Sequence, residues 1–163
     1  MKPADEIGGD YFDAVEAGGK LWLFIGDVSG HGVSAGLIMM VQTAVRSLVH
    51  SFADAKLTVA PAKLPSLVNR SVWSNLQLLG NGQYMTMSAL CIADQRLSHA
   101  GLHQSALLFR GSTQQVEELE SRGAWLGILD KIEGINEDTS TDLGPNDSLL
   151  LYTDWTASTR IRC

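Results

Sequence analysis

Two short acidic motifs carry the chemistry legible in this chain. Gly8-Gly9-Asp10-Tyr11-Phe12-Asp13 and Gly26-Asp27-Val28-Ser29-Gly30-His31-Gly32 stand on either side of the apolar run at residues 21–25. Each sets a carboxylate beside glycines. A hard divalent cation takes oxygen ligands and keeps water in its remaining positions, and glycine lets the backbone come close, so this pairing suits such an ion. Asp154 ends the apolar run at residues 149–153 in the same way. Asp beside Gly is also ordinary turn chemistry, and any one occurrence taken alone reads as a turn. Three Asp at strand termini, however, can converge on one edge of a sheet. His31, between Gly30 and Gly32, is a candidate general acid because an unperturbed imidazole titrates near neutrality; a solvent-facing loop residue is the competing reading. His99 and His103 are read as turn or sheet-edge residues, given the oxygen preference of Mn²⁺ and Mg²⁺.

Other chemistries fail on spacing. Gly30, Gly32 and Gly36 give G-x-G-x-x-x-G rather than the dinucleotide pattern, and a second helix follows where the next strand should be. There is no phosphate-binding G-x-x-x-x-G-K-[ST]. The segment from Gly26 to Gly30 carries its Ser at the fourth place, so it is not a nucleophile elbow.

The elements that must hold these residues follow from periodicity. Residues 21–25, LWLFI, are continuous apolar sequence between glycine-containing turns, which predicts a strand buried on both faces. From Val33, apolar residues at intervals of three and four predict a helix over 33–53, and Leu67, Val68, Val72, Leu76 and Leu79 continue a second over 65–79 until Gly80. Five strand-like segments follow, at 84–94, 96–101, 105–111, 114–120 and 148–154, while 139–142 is too short to be a linker. Strands, two consecutive helices and then a run of strands predict an α+β layered fold with the helix pair on one sheet. Met39, Met40, Met85 and Met87 are read as core filler and Trp125 as packing rather than a docking surface.

Composition bounds the rest. The 163 residues favour a single domain, and 45% hydrophobic against 18% charged residues place it in the globular class. A net charge of −6 removes the electrostatic footprint of a nucleic-acid binder and argues against contact with an anionic membrane. Two cysteines, Cys91 and Cys163, build neither a disulfide framework nor a thiolate metal site, which fits a reducing, cytoplasmic setting. The N-terminal ten residues lack the apolar run of a signal peptide.

EIGGDYFD, the strand, GDVSGHGVSAGL, a helix pair, YMTMSALCI and LLLYTD together resemble the SpoIIE/RsbU-type bacterial serine/threonine phosphatases of the PP2C-like superfamily, over about residues 3–154. The resemblance implies an α-β-β-α sandwich and a centre of two Mn²⁺ or Mg²⁺ ions hydrolysing phosphoserine or phosphothreonine on a regulatory phosphoprotein. The usual partner is a STAS-type anti-sigma-factor antagonist, and the resemblance allows a sensor domain fused in the parent protein. Asp10 matches the first metal Asp and Asp27 the one that bridges both ions; Val28 would lend its backbone carbonyl, and Asp154 matches the metal Asp of the late motif. Asp10 and Asp27 would act catalytically through water that the metals activate, without a protein nucleophile. Two departures accompany the match. Asp154 is followed by Trp155 where the family has Gly, and the family's last metal Asp lies beyond such a motif. The chain is therefore expected to be a single PP2C-like domain, 1–163, incomplete at both ends, with one metal site weakened and little turnover by itself. The alternative is an impaired module that binds a partner protein without turnover.

Overall fold

The computed structural model describes residues 9–29, 34–80, 82–153 and 159–162. The chain begins with the hairpin β1 (Asp10–Ala17) and β2 (Lys20–Val28), continues through α1 (Ser34–Asp54) and α2 (Lys63–Leu79), and then runs through β3 (Met85–Ala93), β4 (Arg96–Leu102), β5 (Ala106–Arg110), β6 (Gln115–Leu119), β7 (Thr139–Asp142), β8 (Ser148–Leu151) and β9 (Thr159–Arg162). Two antiparallel sheets result, ordered β1-β2-β3-β4-β7 and β6-β5-β8-β9.

Alternation of side chains on β2 sorts the core into two layers. Trp22, Phe24 and Val28 join Tyr11 and Val15 of β1 against Leu37, Val41, Val45 and Val49 of α1 and Leu64, Val68, Val72 and Leu76 of α2. Leu23 and Ile25 face the other way, meeting Leu90 and Leu97 from their own sheet and Leu108, Leu149 and Leu151 from the second. The run at 21–25 is apolar throughout because β2 is covered on both sides, by helices and by a sheet. The α+β sandwich with both helices on one sheet is thus observed. Gly80 ends α2 at φ 64° and returns its N–H to the Leu76 carbonyl, the left-handed stop that glycine takes without a Cβ penalty.

Several expectations need correction. Asp10–Asp13 of the first acidic motif lie in strand β1 rather than in a turn: Tyr11, Asp13 and Val15 alternate inward, and buried Asp13 is held by Arg46 of α1, whose Nε and Nη2 donate to its two carboxylate oxygens at 2.8 and 2.6 Å. Residues 139–142 are strand β7, paired with Arg96–His99 of β4. His99 is neither in a turn nor at an edge: it lies on β4 between β3 and β7, buried, because pairing on both sides covers it. Met85 and Met87 are core, but Met39 is 67% exposed on α1. Trp125 is partly exposed while stacking on Tyr84, ring centroids 4.8 Å apart. The helices start at Ser34 and Lys63 among the described residues.

Candidate metal centre

The turn at one end of the β1–β2 hairpin fixes which residues meet at the other. Gly18 and Gly19 have φ of 59° and 73°, the two positive values that a tight two-residue hairpin of the favoured twist requires. Ala17 then pairs with Lys20, and counting back along the ladder brings Asp10 opposite Asp27. Cross-strand partners share a face of the sheet, with Cβ atoms about 4.5–5.5 Å apart. A slip of one residue would turn Asp27 toward the helices. Asp27 follows the alternation of Leu23 and Ile25, so its face is the one turned toward the second sheet; it is half-buried, and Asp10 is exposed.

Gly9, the neighbour of Asp10, approaches Asp27 and Val28 closely. A Cβ built on Gly9 would stand 2.6 Å from Asp27 Oδ1 and 2.7 Å from Val28 O. Two oxygens, one carboxylate and one carbonyl, therefore border a space kept open because residue 9 has no side chain. They belong to the two residues of β2 singled out as ligands from the sequence. Gly26 serves a different end: a Cβ there would run into the Thr86 carbonyl, so glycine lets β2 and β3 close up beside Asp27.

Polar side chains that the sequence did not single out hold this rim. The Asp27 N–H donates to Thr86 Oγ1 at 2.8 Å. Beyond Val28, Ser29 is tied to Tyr84: its N–H and Oγ–H donate to the Tyr84 carbonyl at 2.9 and 3.0 Å, and its Oγ accepts from the Tyr84 N–H at 2.9 Å. Thr86 Oγ1 lies 2.8 Å from His103 Nδ1, and His103 Nε2 lies 3.1 Å from the Tyr152 carbonyl. No local spacing announces these contacts, since the partners are 17 to 59 residues apart. Among the described residues no group of three or more His, Cys, Asp or Glu side chains gathers as a metal site. Asp154 and His31 lie outside the described residues, as do Gly8, Gly30, Gly32 and Trp155. Asp10, Asp27 and Val28 are brought together.

Two cavities among the described residues lie elsewhere. One of about 950 Å³ opens between α1, α2 and residues 130–133, and one of about 270 Å³ lies under the Gly18 turn; neither is lined by Asp10, Asp27 or Val28.

Comparison with known proteins bears on the family and the fold. The family described as Stage II sporulation protein E (SpoIIE) matches residues 17–155. The RsbU and RsbW domains of a Mycobacterium tuberculosis protein align with a TM-score of 0.71 and 28% identity, over 94% of this chain and 41% of theirs. The SiaA PP2C domain of Pseudomonas aeruginosa gives 0.69 and 22%, over 90% of this chain and 56% of that one. RsbX in complex with magnesium gives 0.66 and 17%, over 94% and 69%. The chain spans less than two thirds of the length of the first two.

Proposed function

This chain belongs to the SpoIIE family, and from that premise we propose that it is a single domain, 1–163, acting as a divalent-metal-dependent protein phosphatase on phosphoserine or phosphothreonine. The observation that carries the reading is the space at Gly9, bordered by Asp27 Oδ1 and Val28 O, with Asp10 as the cross-strand partner of Asp27. An all-oxygen donor set of carboxylate and carbonyl fits Mg²⁺ or Mn²⁺ and does not favour a thiolate-seeking metal. Asp10, Asp27 and the Val28 carbonyl would hold the ions, joined by Asp154. When bound, such ions supply Lewis acidity toward phosphoryl oxygen and an activated water for in-line displacement.

The chain's own groups do the positioning. The β1–β2 register aims both carboxylates at one face, and Thr86 and Tyr84 fix the backbone on either side of Val28. His31 is the candidate donor of a proton to the departing serine or threonine oxygen. The proposed substrate is a serine-phosphorylated STAS-type anti-sigma-factor antagonist. Support comes from the RsbU and RsbW domains of the mycobacterial neighbour, together with the sequence resemblance. A cytoplasmic setting is proposed from the cysteine usage; no helix among the described residues is long and apolar enough to cross a membrane.

One observation favours a partner-binding module without turnover: Asp154 precedes Trp155, a bulky residue beside a proposed ligand. Release of phosphate from a serine-phosphorylated STAS domain separates the readings. The assay uses millimolar Mn²⁺ and compares the 163-residue protein with its full natural reading frame. Metal-dependent release by the full frame, lost in Asp27→Asn, supports the phosphatase; tight binding of the phosphoprotein with no release by either form supports the module.

A further inference from the structure

Thr86 and His103 form a bridge between the two sheets at the edge that carries the proposed ligands. The Asp27 N–H ends on Thr86 Oγ1 at 2.8 Å, Thr86 Oγ1 meets His103 Nδ1 at 2.8 Å, and His103 Nε2 meets the Tyr152 carbonyl at 3.1 Å. Asp27 and Thr86 belong to the first sheet; Tyr152 follows β8 of the second, two residues before Asp154. His103 stands on the connection from β4 to β5, where the chain passes from one sheet to the other.

The proton positions follow from chemistry. A carbonyl only accepts, so His103 Nε2 carries hydrogen and donates to Tyr152. Thr86 Oγ1 accepts the Asp27 N–H and also lies 3.2 Å from the Asp27 carbonyl, to which its hydroxyl donates, so Thr86 holds both main-chain groups of Asp27 while His103 Nδ1 holds Thr86 from the other side. His103 is itself pinned: its N–H donates to Ser121 Oγ at 3.0 Å, and Ser121 donates on to the Gly101 carbonyl at 2.9 Å. Gly101 has φ of 107°, and a Cβ there would strike the Met87 carbonyl, so the backbone path that delivers His103 depends on glycine.

We propose that His103, acting through Thr86, is a positioning residue that ties the Asp27 main chain of the first sheet to Tyr152 of the second. This rests on the metal reading given above and deepens it. Hydrogen bonds that orient a metal's ligands typically change affinity by about 10–100-fold when removed. Thr86 and His103 belong to one chain of contacts, so losing both should add little to losing either.

The test uses ¹⁵N-labelled protein and variants His103→Ala, His103→Asn, Thr86→Val and the Thr86→Val/His103→Ala double. Amide exchange of Asp27 is read against Leu23 on the same strand, which cancels any global loss of stability, and Mn²⁺ affinity is measured by calorimetry. We expect faster Asp27 exchange relative to Leu23 and about tenfold weaker Mn²⁺ binding in His103→Ala and Thr86→Val. The double variant should be within about twofold of either single, and His103→Asn, which keeps a hydrogen-bonding group for Thr86 Oγ1, should recover Asp27 protection. An unchanged Asp27-to-Leu23 ratio in His103→Ala overturns the proposal, as does a changed ratio with Mn²⁺ affinity equal to wild type. If the wild type binds no Mn²⁺, the metal reading fails instead, and the exchange ratio alone decides whether His103 positions Asp27.

Discussion

Replacing Gly9 by alanine places a methyl group against the two oxygens on which the metal reading depends. Its Cβ would sit 2.6 Å from Asp27 Oδ1 and 2.7 Å from Val28 O, whereas carbon–oxygen contacts in folded proteins settle at about 3.3–3.6 Å. Each oxygen must therefore retreat by roughly 0.7 Å, or the β1 backbone must move away by a comparable amount. Alanine meets no conformational objection at this residue, because the φ of Gly9 is not in the left-handed region; the effect is contact alone. A displacement of that size exceeds the roughly 0.5 Å within which a binding constellation keeps its function, and Mg²⁺ in particular demands near-ideal geometry. Losing one ligand's proper placement should weaken Mn²⁺ or Mg²⁺ binding at least about tenfold, which is about 1.4 kcal/mol. Stability should fall by no more than about 1–3 kcal/mol, the usual cost of overpacking. Calorimetric titration with Mn²⁺ beside thermal denaturation measures both, with Gly36→Ala as control, since a Cβ at Gly36 meets nothing within 4 Å. A folded Gly9→Ala protein that binds Mn²⁺ within twofold of wild type would refute the inference that this glycine keeps open a cation site.

Acidification should act through His99, whose burial holds its pKa below the ordinary 6.5 against the opposing pull of Asp138. The unfolded chain then takes up a proton before the native one, so stability is full above about pH 6.5 and declines as pH falls toward the lower native value; His99→Gln should flatten urea-measured stability over that window. Asp147 behaves as a depressed carboxylate: burial opposes its charge, but N–H donors from Gly144 and Gly111 and the Arg110 guanidinium outweigh it. Its contribution is present above the ordinary carboxylate value of 3.8 and is lost as pH drops through the lower native one; Asp147→Asn should cost on the order of 1–3 kcal/mol at pH 7, seen as a lower urea midpoint. Arg46→Met removes the cation that holds buried Asp13 and should lower the melting temperature at pH 7 by leaving a buried charge without its partner.

What the sequence made legible, and what it did not, divides along the range of the interactions. LWLFI between glycines and the two helical periods were readable because their burial follows from neighbours a few residues away along the chain. Strand β1 was hidden because its inward alternation includes Asp13, a polar residue made acceptable in the core only by Arg46, 33 residues on. Strand β7 shows no buried residue in Thr139–Asp142 and exists by pairing with β4, so no apolar signal marks it. Asp10 and Asp27 could be proposed because carboxylates beside glycines are a local pattern, and Val28 only through the family resemblance. That Asp10 and Asp27 are neighbours across a ladder depended on the Gly18–Gly19 turn, and the support from Thr86, Tyr84 and His103 runs through contacts between residues 17 to 59 positions apart, where sequence spacing carries no sign of proximity.

Calorimetric titration of Mn²⁺ into the wild-type protein and into Asp27→Asn, at one pH and ionic strength, tests the central claim most directly. The substitution keeps size and backbone and removes one carboxylate oxygen's charge, so the Thr86 hydrogen bond to the Asp27 N–H is preserved while the proposed ligand is lost. Saturable binding by the wild type that disappears in Asp27→Asn is the predicted result; equal binding isotherms for the two proteins would show that the rim at Asp10, Asp27 and Val28 is not a cation site.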